Sequence, residues 1–182
     1  YTIGNYLAQQ SSELDTTRKE YQEGVENSKN KINTLLQISG NKTVDDLHKE
    51  LGKIMWDNVG MSRNKESLNN ALDLIPKIKS EFWNNINIPG KSTELNPELE
   101  KAGRLADFIE LGELMALDAL SREESCGGHF REEYQTEENE AERNDQDFKY
   151  VAAWDYSENG NPELFREELK YSNVKLKTRS YK

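Results

Sequence analysis

Residues 96–124, NPELEKAGRLADFIELGELMALDALSREE, carry the most apolar helical pattern in the chain, and the fold class follows from them. Asn96 can accept a hydrogen bond from the first turn as N-cap, and Pro97 suits the first helical position, where its missing N–H is no loss. The spacing predicts a helix from Glu98 to about Glu124, leaving at Ser125 or Cys126. Leu99, Ala102, Leu105, Ala106, Phe108, Ile109, Leu111, Leu114, Met115, Leu117 and Leu120 lie on more than one face of it. Such a helix sits between neighbours, so this one is expected to be central and to touch at least two others.

The neighbours lie upstream. Thr43 can cap a helix in which Val44, Leu47, Leu51, Ile54, Met55 and Val59 follow a three-then-four spacing, with Trp56 adding bulk and Gly60 ending the run. Asn64 or Ser62 can cap the next, whose stripe is Leu68, Ala71, Leu72, Ile75, Ile78, Phe82 and Ile86. Pro76 is expected to kink or split that helix, because its ring removes a donor and clashes one turn back. Before both, residues 12–38 predict a long polar helix with a narrow stripe of Tyr21, Val25, Ile32, Leu35 and Leu36, stopped at Gly40. The opening YTIGNYLAQQ has no initiator Met and no capping residue, yet Ile3, Tyr6, Leu7 and Gln10 already fall at helical spacing. It is expected to be a helix entered midway, in a fragment of a longer chain.

Downstream the pattern changes. Residues 136–147, TEENEAERNDQD, predict an acidic, amide-rich connector with nothing to bury. Phe148, Tyr150, Ala152, Trp154 and Tyr156 then alternate with a period of two, SENGNP at 157–162 supplies a turn, and Leu164, Leu169 and Tyr171 resume an extended pattern. A small hairpin is expected, and a further strand can follow over 174–178.

With 182 residues, 34% of them apolar and 32% charged, the chain suffices for one helical domain with a small appendage and a lean core. The net charge of -10 argues against a nucleic-acid partner, which would need a basic face; the basic ending VKLKTRSYK is too short to reverse that. A single cysteine excludes an intramolecular disulfide. No apolar run approaches the roughly 18 residues of a membrane span.

The chemical-looking stretch is residues 121–134, SREESCGGHFREEY, where Cys126 stands three residues from His129. Zinc normally takes four ligands, or three and water; the other histidine, His48, is expected on a different helix, and Glu123 and Glu124 are expected to face solvent. A nucleophilic Cys126 would need a base and an oxyanion site, and a helix C-terminus presents carbonyls that disfavour a thiolate. The plainer expectation is a helix exit: the glycines permit a left-handed or closely packed backbone, and His129 and Arg131 bond to neighbouring carbonyls or carboxylates.

Two segments together are more specific. MWDNVGMSRNKESL at 55–68, followed after a long helix by ALSREESCGGHFREEY at 119–134, resembles the C-terminal helical region of the succinate dehydrogenase and fumarate reductase flavoprotein family. The second motif is usually Ser-Arg-x-Glu-Ser-Arg-Gly-Ala-His-x-Arg; here Ser121, Arg122, Glu124, Ser125, Gly127, His129 and Arg131 are in register, while Cys126 replaces the usual Arg and Gly128 the usual Ala. RNDQDF at 143–148 resembles the acidic segment that follows this motif in the family, and AAWDYSENG at 152–160 with VKLKTRSYK at 174–182 is similar to the tail of the bacterial succinate dehydrogenase branch. The likeness is clearest over residues 43–182; YTIGNYLA resembles the helix that leaves the flavin domain.

The resemblance implies a mainly α fold: a spectrin-like three-helix bundle with an additional N-terminal helix and a small C-terminal β-hairpin extension. Residues 1–42 would be the helix leaving the flavin domain and the long amphipathic helix, 43–134 the helical bundle, and 135–182 the acidic connector and β extension. It further implies the C-terminal, non-catalytic portion of an FAD-dependent oxidoreductase subunit acting on succinate and fumarate. FAD would be held by the parent subunit, with no catalytic, cofactor-binding or metal residue in this portion. The partners would be the FAD domain of the same chain, an iron-sulfur subunit and, indirectly, a membrane cytochrome b or quinone-binding subunit, placing the protein in the cytoplasm, peripheral on the inner membrane. Arg122, Glu124, Ser125, Gly127, His129 and Arg131 are expected to hold the domain junction. L-Aspartate oxidase shares the bundle and the Ser-Arg-x-Glu-Ser motif, but typically ends soon after it. A free-standing helical interaction module is the remaining alternative.

Overall fold

The computed structural model describes residues 2–10, 15–155, 157 and 162–177. Among them the helices run α1 (Thr2–Gln9), α2 (Lys19–Gln37), α3 (Val44–Val59), α4 (Lys65–Asn85), α5 (Pro97–Ser121) and a single turn α6 (Asp145–Phe148). The strands are β1 (Ser62–Arg63), β2 (Phe130–Arg131), β3 (Tyr150–Asp155) and β4 (Glu163–Glu168). No helix among the described residues is long and apolar enough to cross a membrane.

The bundle helices start where polar side chains satisfy their first N–H groups. Thr43 Oγ1 accepts from Asp46 N at 3.1 Å, and Asp45 and Asp46 place negative charge against the N-terminal end of the α3 dipole. Asn64 and Ser67 form a reciprocal capping box at α4, with Ser67 N donating to Asn64 Oδ1 at 2.8 Å. Asn96 accepts from Leu99 N at 3.0 Å, with Pro97 first in α5.

α3, α4 and α5 pack on one another, and α2 leans on α5. Leu47 and Leu51 of α3, Leu68, Ile75 and Phe82 of α4, and Leu105 and Ile109 of α5 meet in one core with almost no exposure, closed at one end by Leu35 and Ile86. The expected central helix is α5, touching three neighbours.

Several expectations are corrected. α4 runs through Pro76 as one helix and is not split there, because Ile75 and Ile78 on either side are buried in the core and their packing outweighs the lost backbone bond. The helix expected over 12–38 begins only at Lys19, after a turn at Asp15 whose carboxylate accepts from Thr17 N and Oγ1. On α2 only Leu35 is buried, and among the described residues Tyr21, Val25 and, to a lesser extent, Ile32 remain exposed on its stripe. α2 ends at Gln37, next to the expected bound of 38, and its C-cap is Ile38 rather than Gly40. Trp56, expected to thicken the seam, is 84% exposed, because it falls just off the α3 stripe. α5 stops at Ser121, a turn earlier than expected.

The appendage is an antiparallel β3–β4 hairpin, with Tyr150 opposite Glu168, Ala152 opposite Arg166 and Trp154 opposite Leu164. Phe148 closes α6 instead of opening the strand, since Asn144 caps that turn by accepting from Asp147 N. Residues 174–177 are not a strand, and most of the expected turn at 157–162, with Tyr156 and Thr178, lies outside the described residues.

Candidate functional site: the exit of the central helix

A helix C-terminus leaves its last carbonyls without intrahelical donors. At the end of α5 those carbonyls are met by two side chains from 7 to 12 residues further along. Arg131 Nη1 donates to Ala119 O at 3.0 Å and Leu120 O at 3.2 Å. His129 Nε2 lies 2.9 Å from Arg122 O. The positive guanidinium also complements the negative end of the α5 dipole. A carbonyl only accepts, so the His129 proton is on Nε2 and Nδ1 is the acceptor nitrogen.

Arg131 is 1% exposed, which a charged side chain tolerates only when its donors are used. Its Nε donates to Glu133 Oε2 at 3.1 Å, and its guanidinium lies 5.4 Å from the centre of the Tyr134 ring. Its backbone is equally engaged: Arg131 N donates to Ser125 Oγ at 2.8 Å, while that hydroxyl donates to Arg131 O at 3.1 Å. Glu133 also accepts from Lys65 N, the first residue of α4, so one carboxylate joins the α5 exit to the α4 entry. Burial pushes its carboxyl upward, but the bonds from Arg131 and Lys65 prevail and hold it below its ordinary value.

The chain reaches these positions through a two-residue hairpin. Cys126 and His129 exchange backbone bonds of 2.8 and 3.1 Å across Gly127 and Gly128. Gly127 takes φ +62° and Gly128 no positive φ, the pattern of a II′ turn, in which the first central residue favours glycine. A parallel pairing of β1 with β2, Ser62 opposite Phe130 and Arg63 opposite Arg131, then fastens this segment to the α3–α4 connection. The two motif segments are thus brought side by side.

Glu124, 2% exposed, accepts from Arg122 Nε at 2.8 Å and from Asn144 N at 2.8 Å. Arg122 reaches on to Phe148 O at 2.7 Å and lies over the Phe148 and Tyr150 rings. The segment expected to be a loose connector is therefore folded onto the exit: Ser125 N donates to Glu142 O at 2.8 Å, Glu142 N to Tyr134 O at 3.1 Å, and Thr136 N to Glu140 O at 2.9 Å. Backbone pairing, which needs no apolar side chain, corrects that expectation.

All six residues singled out in the sequence meet here. Glu124, Ser125 and Arg131 are buried within this chain, Arg122 and His129 are partly buried, and Gly127 is exposed at the turn. Arg63, Glu133 and Asn144 belong to the same cluster but had no role assigned in the sequence. The available signal was that Arg63 and Glu133 lie inside the two quoted motifs. Cys126 is partly buried, and among the described residues no group of three or more His, Cys, Asp and Glu side chains could hold a metal ion.

His129 has a testable pH signature. Burial chiefly lowers its pKa; the bond to Arg122 O opposes this, and the Arg63, Arg131 and Arg122 charges add to the lowering. The unfolded chain then binds this proton at a higher pH than the folded chain does. The stabilisation is complete above the ordinary value of 6.5 and is lost as pH falls below it. Urea midpoints at about pH 7.5 and about pH 5.5 should differ more for the wild type than for His129→Gln. Equal differences would contradict this assignment.

Comparison with known proteins agrees with the architecture. Residues 48–181 match the family model described as fumarate reductase flavoprotein C-term. The fumarate reductase flavoprotein subunit of Haemophilus influenzae is 26% identical over 175 residues, 95% of this chain and 27% of the relative. The succinate dehydrogenase flavoprotein subunit of Bacillus subtilis is 26% identical over 173 residues, 94% of this chain and 28% of the relative. Among solved structures, FrdA of Escherichia coli quinol fumarate reductase superposes on 92% of this chain and 27% of its own, with a TM-score of 0.75 and 22% identity, which bears on the fold alone. The chain spans about a quarter of the length of these relatives. Since the matched residues make up most of its length, the chain belongs to the fumarate reductase flavoprotein C-terminal family.

Proposed function

We propose that this chain is the C-terminal, non-catalytic portion of an FAD-dependent flavoprotein subunit that interconverts succinate and fumarate and passes electrons to an iron-sulfur subunit. The observation that carries this reading is the extent of the match: 95% of the chain aligns with only 27% of the H. influenzae subunit. The remainder of such a subunit would hold the flavin and the substrate.

The residues present do not fit a flavin. A dinucleotide site needs a strand, a Gly-x-Gly turn and a helix N-terminus aimed at the pyrophosphate. No two of the chain's glycines stand two residues apart, and the parallel pairing among the described residues is the short β1–β2 contact and a lone bridge. No redox step is therefore routed through these side chains. Their part is architectural, with residues 1–42 leading in from the flavin domain, 43–134 forming the bundle and 135–182 the extension.

The exposed apolar stripes agree with a face that is covered in the larger protein. Phe108, Leu111 and Met115 are 42%, 53% and 48% exposed along one side of α5, and Tyr21 and Val25 of α2 are open as well. In this reading the helix exit, locked from within by Glu124, Ser125 and Arg131, presents its Gly127–Gly128 turn to the flavin domain. The subunit joins an iron-sulfur partner and, through it, a quinone-binding membrane subunit on the cytoplasmic side of the inner membrane. Purified alone, residues 1–182 should carry no flavin absorbance and should not reduce a dye with succinate, whereas the full-length subunit with its partner should do both. A yellow 182-residue chain that oxidises succinate would refute the assignment.

A further inference from the structure

Two arginines near the helix exit, Arg63 and Arg143, have a buried Nε without a partner, but Arg143 Nη2 donates to Asp145 Oδ2 at 2.6 Å, whereas Arg63 has no carboxylate within ion-pair distance among the described residues. It lies on β1, where its carbonyl accepts from Glu132 N at 2.9 Å, and its side chain runs beside the Gly127–Gly128 turn. The bond its guanidinium makes is long: Nη2 to Gly128 O at 3.5 Å. Its Nε is buried with no hydrogen-bond partner. A buried donor in that state is costly, and native proteins seldom leave one so.

No neighbouring acid comes within ion-pair distance of Arg63, although the Asp118 charge favours its cationic form from further away. Asp118 accepts from Trp154 Nε1 at 2.8 Å, Glu132 from Ser62 Oγ and Asn64 Nδ2 at 2.9 Å each, and Glu133 from Arg131 and Lys65. His129 has its proton turned to Arg122 O, and Arg131 adds a like charge nearby. Arg18, Arg104, Arg122, Arg131 and Arg143 each have a carboxylate, and Arg166 has the Tyr150 ring; among the described arginines Arg63 alone has neither.

The surface beside it is open. Gly127 and Gly128 are exposed, and a Cβ built on either meets no atom within 4 Å. A planar fork of donors at the edge of an open turn matches a planar, bidentate anion. We propose that Arg63 is the docking point for an aspartate or glutamate side chain supplied by the part of the subunit that lies outside these 182 residues. This rests on the chain being about a quarter of a larger flavoprotein subunit, which leaves most of that subunit available to supply the carboxylate.

Hydrogen exchange over residues 126–131 tests it, compared between the 182-residue chain and the full-length subunit, each as wild type, Arg63→Gln and Arg63→Lys. In the wild type, the full-length subunit should protect this segment more than the short chain does. Arg63→Gln should remove roughly tenfold of that added protection, Arg63→Lys should remove less, and neither should change exchange in the short chain. If the full-length subunit adds no protection at 126–131, the junction reading itself fails. If it adds protection that both variants leave intact, the junction stands and the carboxylate at Arg63 is overturned. Should Arg63→Gln loosen the short chain as well, Arg63→Lys decides by the same comparison.

Discussion

Replacing Arg131 with alanine should destabilise the chain by about 3–5 kcal/mol, the range expected when one member of a buried, fully bonded charged group is removed. The cost has identifiable parts. The Ala119 and Leu120 carbonyls lose their donor at the end of α5, and Glu133 keeps its charge without its guanidinium. The volume of a side chain 1% exposed is left as a cavity. Lysine should restore little of the loss, because an ammonium cannot reach two carbonyls and a carboxylate in the same fixed geometry. Urea denaturation with an unchanged slope is the measurement. A loss under about 1 kcal/mol would mean that water replaces Arg131 at the helix end, and the exit would not be locked as described.

Gly40→Ala should cost about 3 kcal/mol, the upper range for overpacking, because its methyl would land on the backbone carbonyl of Asn85. The contact cannot open freely. Gly40 N donates to Ile86 O at 3.0 Å, Lys42 N to Asn85 O at 3.0 Å and Asn87 N to Lys42 O at 2.9 Å, so the α2–α3 connection is stitched along the end of α4. Leu35 and Ile86, both nearly unexposed, close the core behind it. Gly52, inside α3 with nothing near its missing Cβ, supplies the contrast: alanine there should stabilise by about 0.5–1 kcal/mol. Similar effects at the two positions would show that the close approach at Asn85 does not constrain the fold.

The bundle was legible because it rests on local and periodic signals. Leu47, Leu68, Leu105 and their spaced companions point inward on consecutive helices, and Thr43, Asn64 and Asn96 cap where their types and positions indicate. Periodicity reports that a helix has an apolar side, not what covers it. Tyr21 and Val25 therefore looked like core yet stand open, and Trp56, one position off its stripe, faces outward. The helix exit was legible only as a cluster. Sequence placed His129 and Arg131 near carbonyls, but not which ones, since the partners Ala119, Leu120 and Arg122 are reached by a chain reversal at Gly127. The connector was hardest to read. Its order comes from backbone pairing through Thr136, Glu140 and Glu142, with Asn139 at φ 62°, and backbone groups have no side-chain signature.

The proposed place of this chain, as one portion of a flavoprotein subunit with its catalytic domains upstream, can be checked in the gene itself. The most direct measurement is the nucleotide sequence upstream of the codon for Tyr1. An open reading frame should continue upstream for several hundred codons, on the order of three times this chain's length, and encode a dinucleotide-binding Gly-x-Gly-x-x-Gly turn near its start. An initiator codon directly before Tyr1 would contradict it and leave a free-standing helical protein in its place.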